Sequence, residues 1–433
     1  MKMGEDGSVG GRGYHALDAE SVKAYAAGIE EIAGRLGTSD PGALRAREVG
    51  DGNLNLVFIV EGPASAVVVK QALPYVRLVG DSWPLPLKRA YFEWNALVRQ
   101  AAVQPERLPA LHHFDPVNAL IVMEYLSPHV ILRKELTAGK RFKHLAEHVG
   151  VFLAETLFRS SDFFMDTAKK KADVALFADN VALCAISENL VFTEPYFDAP
   201  LNRWTTPQLD GLALALRADR AVKVGAQEML YRFTTKSEAL LHGDLHTGSI
   251  MVTAKDTRII DPEFAFYGPM GFDIGALLAN LYLSYFAQEG HAETPDGRFA
   301  QGEWLLETAE SIWSVFAESF ARLWREERNG ILFSRRLFED VGDEVGATVG
   351  MHQFLQAVFC DVVGFAGAKM VRRLVGLAHV EDMESIADPD RRAVCEARAL
   401  LMGRELLVNR GVFGDIFGLS CLARSILRER RPI

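Results

Sequence analysis

Between residues 44 and 70 the chain carries three short strand-like runs, the last two apolar and β-branched. Leu44 to Glu48, Leu56 to Val60 and Ala66 to Lys70 read as strands, and the turn Glu61-Gly62-Pro63-Ala64-Ser65 folds the last two into a hairpin. Upstream, Val22, Tyr25, Ala26, Ile29, Ile32 and Leu36 recur at helical spacing and predict one helix from Asp18, with Asp18 or Ser21 as its N-cap. A helix across Leu87 to Val103 and a strand from Ala119 to Met123 follow. Beyond that point helical periodicity dominates, interrupted by two strand-like runs, Ile250 to Val252 and Arg258 to Ile260. The pattern predicts an α+β protein of two lobes. A flexible, glycine-rich tail over 1–13 leads to a small antiparallel-sheet lobe over 14–123. A connection at 124–126 then joins it to a large helical lobe over 127–433.

Composition narrows the function classes. The chain has 433 residues, enough for two or three cores, and its formal net charge of −10 argues against general nucleic-acid binding. Cys184, Cys360, Cys395 and Cys421 are far apart with no Cys-x-x-Cys pair, which predicts buried free thiols in a reducing compartment and neither zinc nor a disulfide framework. No signal-peptide core and no run of about eighteen apolar residues stands out, so the expected location is the cytoplasm. Met3 to Ser8 has the look of a myristoylation box if translation starts at Met3, but reads more simply as part of the tail.

The chemistry concentrates in His242-Gly243-Asp244-Leu245-His246-Thr247-Gly248-Ser249-Ile250, followed by Ile260-Asp261-Pro262-Glu263. Asp244 sits on a loop between apolar runs, and Asp261 and Glu263 stand seventeen and nineteen positions downstream at the end of a predicted strand. Phosphoryl transfer needs one carboxylate to orient or deprotonate an acceptor hydroxyl and others to hold Mg²⁺ on the phosphates. On a strand, Asp261 and Glu263 would share a face. The bland alternative is a hydrogen-bond network that caps loops.

Four further places fit the same chemistry. Gly50 to Asn55, with Asn53 and Asn55, is either a plain turn or a loop laid over phosphates. Lys70 closes a run of valines, so it stands either at a solvent edge or against an anion, and Glu93, flanked by aromatic and apolar residues, is the candidate that would hold it. Trp83, in the insert Gly80 to Pro86, either closes over a substrate or packs on the surface. Arg372 and Arg373 lie inside an apolar helical pattern running on to His379, where at most one of two adjacent arginines easily faces solvent, and a buried one wants an anion.

These segments together resemble the methylthioribose kinases, within the wider aminoglycoside-phosphotransferase and protein-kinase-like group. The matching stretches are Gly50 to Val57, Val69 to Tyr75, Val79 to Leu85, Leu241 to Ile250, Ile260 to Gly275 and Arg372 to Val380. Two departures from the generic kinase pattern favour that branch: Ser249 stands where an asparagine metal ligand is usual, and Asp261-Pro262-Glu263 replaces an aspartate-phenylalanine pair. The resemblance implies a two-lobed kinase-like fold and transfer of the ATP γ-phosphoryl group to the C1 hydroxyl of 5-methylthioribose, a step of methionine salvage. It implies that Asn53 and Asn55 lie over the ATP phosphates, that Lys70 contacts ATP, and that Glu124, Tyr125 and Leu126 hold adenine. It further implies that Asp261, Pro262 and Glu263 carry the Mg-ATP end, that Asp244 with Arg372 and Arg373 engages the sugar, and that the protein is a homodimer. The rival readings are a phosphotransferase for an aminoglycoside, choline or homoserine, and an inactive kinase-like nucleotide-binding module. A polycationic acceptor would call for an acidic pocket, which the arginine pair opposes; an inactive module would lack Lys70, Asp244 or Asp261.

Overall fold

The computed structural model describes residues 13–50, 54–76, 80–294 and 297–429. Most of the predicted tail and Asn53, a candidate for the loop over phosphates, lie outside them. The chain divides into two compact units, one ending at Pro128 and one beginning at His129.

The first unit is built on a five-stranded antiparallel sheet, β1 (Arg45–Glu48), β2 (Asn55–Glu61), β3 (Ala66–Ala72), β6 (Leu111–Asp115) and β7 (Leu120–Glu124), in the order β1-β2-β3-β7-β6. The strand Leu111–Asp115 escaped the sequence reading, because His112, His113 and Asp115 break its apolar pattern. Side chains alternate across the sheet. Phe58, Val60, Val67, Val69, Leu120 and Val122 face α1 (Ser21–Gly28) and α2 (Glu30–Leu36), burying Val22, Ala26, Ile32 and Leu36 against them. The expected single helix is thus two, because Ile29 adopts extended backbone (φ −100°, ψ 112°) between them. Asp18 acts as a cap all the same, its Oδ1 accepting from the N–H groups of Glu20 and Ser21.

Lys70 sits on the opposite face of β3, paired in register with Val57 and Ile121. That face carries α3 (Arg89–Ala101), which projects Glu93. Between β3 and α3 the insert forms a two-stranded ribbon, β4 (Tyr75–Val76) and β5 (Gly80–Pro84), where a proline-bounded loop was expected.

The second unit is helical apart from short strands. β8 (Val130–Ile131), β10 (Ile250–Val252) and β11 (Thr257–Ile259) form one small sheet, and β9 (Ala239–Leu240) pairs with β12 (Tyr267–Gly268). Its helices are α4 (Leu132–Thr137), α5 (Leu145–Arg159), α6 (Thr167–Phe177), α7 (Val181–Phe192), α8 (Asp210–Ala218), α9 (Arg220–Thr235) and α10 (Gly271–His291). They continue with α11 (Phe299–Glu327), α12 (Glu344–Val375), α13 (Glu381–Glu384), α14 (Pro389–Val408) and α15 (Ile416–Arg428).

Every side chain of α10 from Gly271 to Gln288 is buried, so this helix is the axis of the unit. Gly271 and Gly275 let it press on α12: a Cβ at either would lie under 3 Å from the backbone of Val362. Phe272 extends the contact, with ring centroids 4.9 Å from Phe233 and 5.2 Å from Phe365, each such pair contributing about 1 kcal/mol beyond area burial. α12 is long and apolar enough to cross a membrane, with a mean hydropathy of 1.5 over its most apolar window, but 72% of that window is buried inside the protein and it reads as a core helix. It ends at Val375 and does not run on to His379; Arg373 Nη1 instead donates to the carbonyls of Ala378 and His379 beyond the helix. The four cysteines are free, as expected, but of them only Cys395 is buried.

Candidate active site

In the first unit, Lys70 is flanked by a strand on each side, so its ammonium cannot reach solvent along an edge. It is 8% exposed and meets Glu93 at 2.7 Å, Glu93 itself being 2% exposed. A buried lysine paired with a helix carboxylate is held in one geometry, which is what a phosphate contact requires. Asn55 is buried at the start of β2. Glu124 closes β7, its backbone N–H donating to Ala110 O and its Oε2 accepting from Ala110 N–H; Tyr125 Oη accepts from Arg47, and Leu126 is buried. Trp83 lies on β5, partly exposed.

In the second unit, the loop bearing Asp244 is suspended from Asp273 of α10. Asp273 Oδ2 accepts from His242 N–H at 2.6 Å and Oδ1 from Gly243 N–H at 3.0 Å. Burial pushes the Asp273 carboxyl above its ordinary range, against those hydrogen bonds. Gly243 has φ +84°, and a Cβ there would stand 2.0 Å from Phe264 O, so only glycine fits. His242 Nε2 donates to Ile260 O, which ties the loop to the segment that carries Asp261.

That segment corrects one expectation. β11 ends at Ile259, so Asp261 and Glu263 do not lie on a strand and do not share a face by alternation. Asp261 adopts φ +71° in a loop, where it is exposed, whereas Pro262 and Glu263 are buried. The left-handed turn nevertheless brings their carboxylates together: one oxygen of each lies within 4.8 Å of the other. Two hard oxygen donors at that spacing fit Mg²⁺. Asn180 Nδ2 pins the loop by donating to the carbonyls of Glu263 and Ala265.

Ser249 is buried and knots the Asp244 loop: its Oγ donates to Asp244 O and accepts from His246 N–H. His246 Nδ1 accepts from the N–H groups of Gly248 and Ser249, so the ring hydrogen sits on Nε2, 3.4 Å from Asp244 Oδ2. Burial holds His246 well below its usual range, against the pull of Asp244, and the ring stays neutral.

Above this loop α12 supplies cations. Lys369 Nζ lies 3.0 Å from Asp244 Oδ1, and Arg372 and Arg373 stand one turn further on. Burial pushes the Asp244 carboxyl up, but Lys369 and the two guanidiniums outweigh it and hold it well below the usual carboxylate range. Burial lowers Arg372 and Arg373, and Arg373 is further lowered by its neighbour. Among the described residues, Arg372 Nε and Nη1 and Arg373 Nε are buried with no hydrogen-bond partner. Donors left open in a cluster where Lys369, Arg133, Arg372 and Arg373 outnumber Asp244 and Asp382 fit a bound anion.

Three residues of this cluster were not singled out from sequence: Asp273, Lys369 and Arg133. Arg133, at the start of α4, donates to Thr247 Oγ1 and Asn280 Oδ1 and lies 3.5 Å from buried Asp382.

The comparisons with known proteins agree with this chemistry. The family model described as "Phosphotransferase enzyme family" matches residues 45–310. "Methylthioribose kinase 1" of Oryza sativa subsp. japonica is 46% identical over 408 residues, covering 94% of each chain. "Methylthioribose kinase" of Escherichia coli is 45% identical over 410 residues, covering 93% of this chain and 96% of that one.

The chain belongs to the methylthioribose kinase family.

The same relation holds to "Methylthioribose kinase" of Geobacillus kaustophilus, 42% identical over 386 residues with 88% and 91% coverage. As a member of this family the chain has the kinase-like fold, the antiparallel five-stranded sheet preceding the mainly helical part. The aligned lengths leave little of the kinase outside the relation, so both the Lys70–Glu93 pair and the Asp244 cluster fall within it.

Proposed function

We infer that the chain is an S-methyl-5-thioribose kinase, transferring the γ-phosphoryl group of ATP to the C1 hydroxyl of 5-methylthioribose in methionine salvage. The observation that carries this reading is the near-full-length relation to methylthioribose kinases, at 46% identity over 94% of the chain. The Asp244 cluster supports it independently: an ionised, oriented carboxylate lies beneath arginines with open donors.

Each residue then has a task. Asp244 accepts a hydrogen bond from the C1 hydroxyl and aims its oxygen at the phosphorus. A carboxylate held well below its usual range is a weak base, so Asp244 orients first and takes the proton late, as a loose phosphoryl-transfer transition state allows. Arg372 and Arg373 offer their unpartnered N–H groups to the charge spread over the equatorial oxygens of the transferred phosphoryl group, in the water-poor cluster they share. Lys70, oriented by Glu93, takes the α- and β-phosphates. Asn53 and Asn55 cover the phosphates, Glu124, Tyr125 and Leu126 present backbone to adenine, and Trp83 lies over the sugar. Asp261 and Glu263, with Pro262 fixing the turn between them, would hold Mg²⁺, which would supply neutralisation of phosphate charge. The protein works in the cytoplasm, as a homodimer.

With Mg-ATP, purified protein should release ADP only when methylthioribose is added, and Asp244→Asn should abolish release while leaving ATP binding intact. ADP release with choline or kanamycin and none with methylthioribose would refute the assignment.

A further inference from the structure

Lys369 lies in the most buried stretch of α12 and has no part in the motif that carries the resemblance. A lysine there is costly unless something holds it, and the two groups around it are specific. Its Nζ is 3.0 Å from Asp244 Oδ1 and 4.7 Å from the centroid of the Phe272 ring, with the side chain only 4% exposed. Asp273, one residue beyond Phe272 on α10, carries the Asp244 loop through two backbone hydrogen bonds. α10 and α12 therefore fix Asp244 in two ways: Asp273 holds the backbone of His242 and Gly243 just before it, and Lys369 holds its carboxylate.

We propose that Lys369 is a positioning residue for phosphoryl transfer, anchoring Asp244 Oδ1 so that Oδ2 alone is presented to the acceptor hydroxyl. The two oxygens are otherwise equivalent, and a carboxylate free to rotate about χ2 would direct either, or neither, at the substrate. With Oδ1 taken by Lys369, the carboxylate plane is fixed, and among the described residues Oδ2 is left with the long 3.4 Å approach of His246 Nε2. That weak partner is easily displaced by a hydroxyl. Lys369 also supplies the nearest positive charge to Asp244. The other charged or titratable groups facing it are His246 on its own loop and Arg372 and Arg373 on α12, with Arg133 and Asp273 next outward. Phe272 covers the far side of the ammonium and favours its charge through the ring face.

This inference rests on the kinase reading above, and its test separates the two. Wild-type turnover of methylthioribose with Mg-ATP is measured first; its absence would defeat the kinase reading and not the role of Lys369. Lys369→Met should then lower kcat by about 100-fold with little change in the KM for ATP. The acidic limb of its pH–rate profile should move to higher pH, because Asp244 loses its closest cation. Lys369→Arg should restore the wild-type limb and part of kcat, since it keeps the charge with different reach. Should Lys369→Met not fold, Lys369→Gln carries the same comparison. A folded Met or Gln variant whose rate falls while its acidic limb stays where it was would overturn the proposal, leaving Lys369 a packing residue. So would an Arg variant with the limb displaced as far as in the neutral one.

Discussion

Gly243 offers a severe test of whether the backbone of the Asp244 loop, and not only its side chains, is built for transfer. Its φ is +84°, and an added Cβ would stand 2.0 Å from Phe264 O, 2.5 Å from Phe264 C and 2.8 Å from Phe264 Cβ. Gly243→Ala thus meets two separate costs. The left-handed backbone alone costs an alanine about 1–2 kcal/mol. The clash is worse, because the obstacle is backbone, and ordinary contact with it requires a separation larger by about 1.4 Å. Phe264 cannot retreat freely: Asn180 Nδ2 binds the carbonyls on either side of it, at Glu263 and Ala265. The Asp244 loop cannot retreat freely either, since Asp273 holds His242 and Gly243 by their N–H groups.

Whichever side gives, the displacement is on the order of 1 Å and falls on Asp244 or on the Asp261–Glu263 loop, and a misplacement of that size costs about 100-fold in rate. The assay is steady-state ADP release with saturating methylthioribose and Mg-ATP, alongside a thermal unfolding scan to confirm that the variant is folded. Gly342→Ala serves as the matched control, because its φ is +82° and nothing lies within 4 Å of its added Cβ. A folded Gly243→Ala enzyme with kcat within about threefold of wild type would refute the reasoning, for then the loop geometry is not what sets the rate.

Two more outcomes follow from buried charges. Lys70→Met and Glu93→Gln should each lower kcat/KM for ATP by about 100-fold while the double variant loses little more, because the pair acts as one unit at 2.7 Å; additive losses would show that it does not. Burial pulls Lys170 down to about 8 from 10.5, so between those pH values the unfolded chain holds a proton that the folded one lacks, and stability attributable to this group rises by roughly 3 kcal/mol as pH climbs; urea unfolding of wild type and Lys170→Met across that window should diverge accordingly, and parallel curves would contradict it.

How much of this was legible beforehand differs by level. The sheet lobe is legible chiefly in two apolar runs because β2 and β3 are central and buried, with Val60, Val67 and Val69 at or below 1% exposure. The edge strand Leu111–Asp115 was not, because an edge strand half open to solvent tolerates His112, His113 and Asp115 and so loses its apolar signature. The break at Ile29 was invisible for a different reason. Ile29 fits the helical spacing well, and the kink depends on backbone angles that hydrophobic pattern does not encode.

At the site, legibility tracked whether a residue's neighbours in sequence are its neighbours in space. Asp244, Asp261 and Glu263 announce themselves because a short loop and one strand pair compress the chemistry into twenty positions. Even there, the alternation argument for Asp261 and Glu263 failed, since the turn at Asp261 leaves the strand before the first carboxylate and meets the second by a left-handed step. Asp273 and Lys369 lie 29 and 125 positions from Asp244, and each looks like a stray charge in an apolar helix. The available clue was one of cost. A charge in the middle of a buried helix needs a partner, and Lys369 precedes Arg372 by three positions, which places both on one face of α12. Two cations on a buried face demand an anion from elsewhere in the chain, and Asp244 is one of the three carboxylates that the motif calls for. The apolar helix most easily taken for packing is thus the element that sets the charge around Asp244.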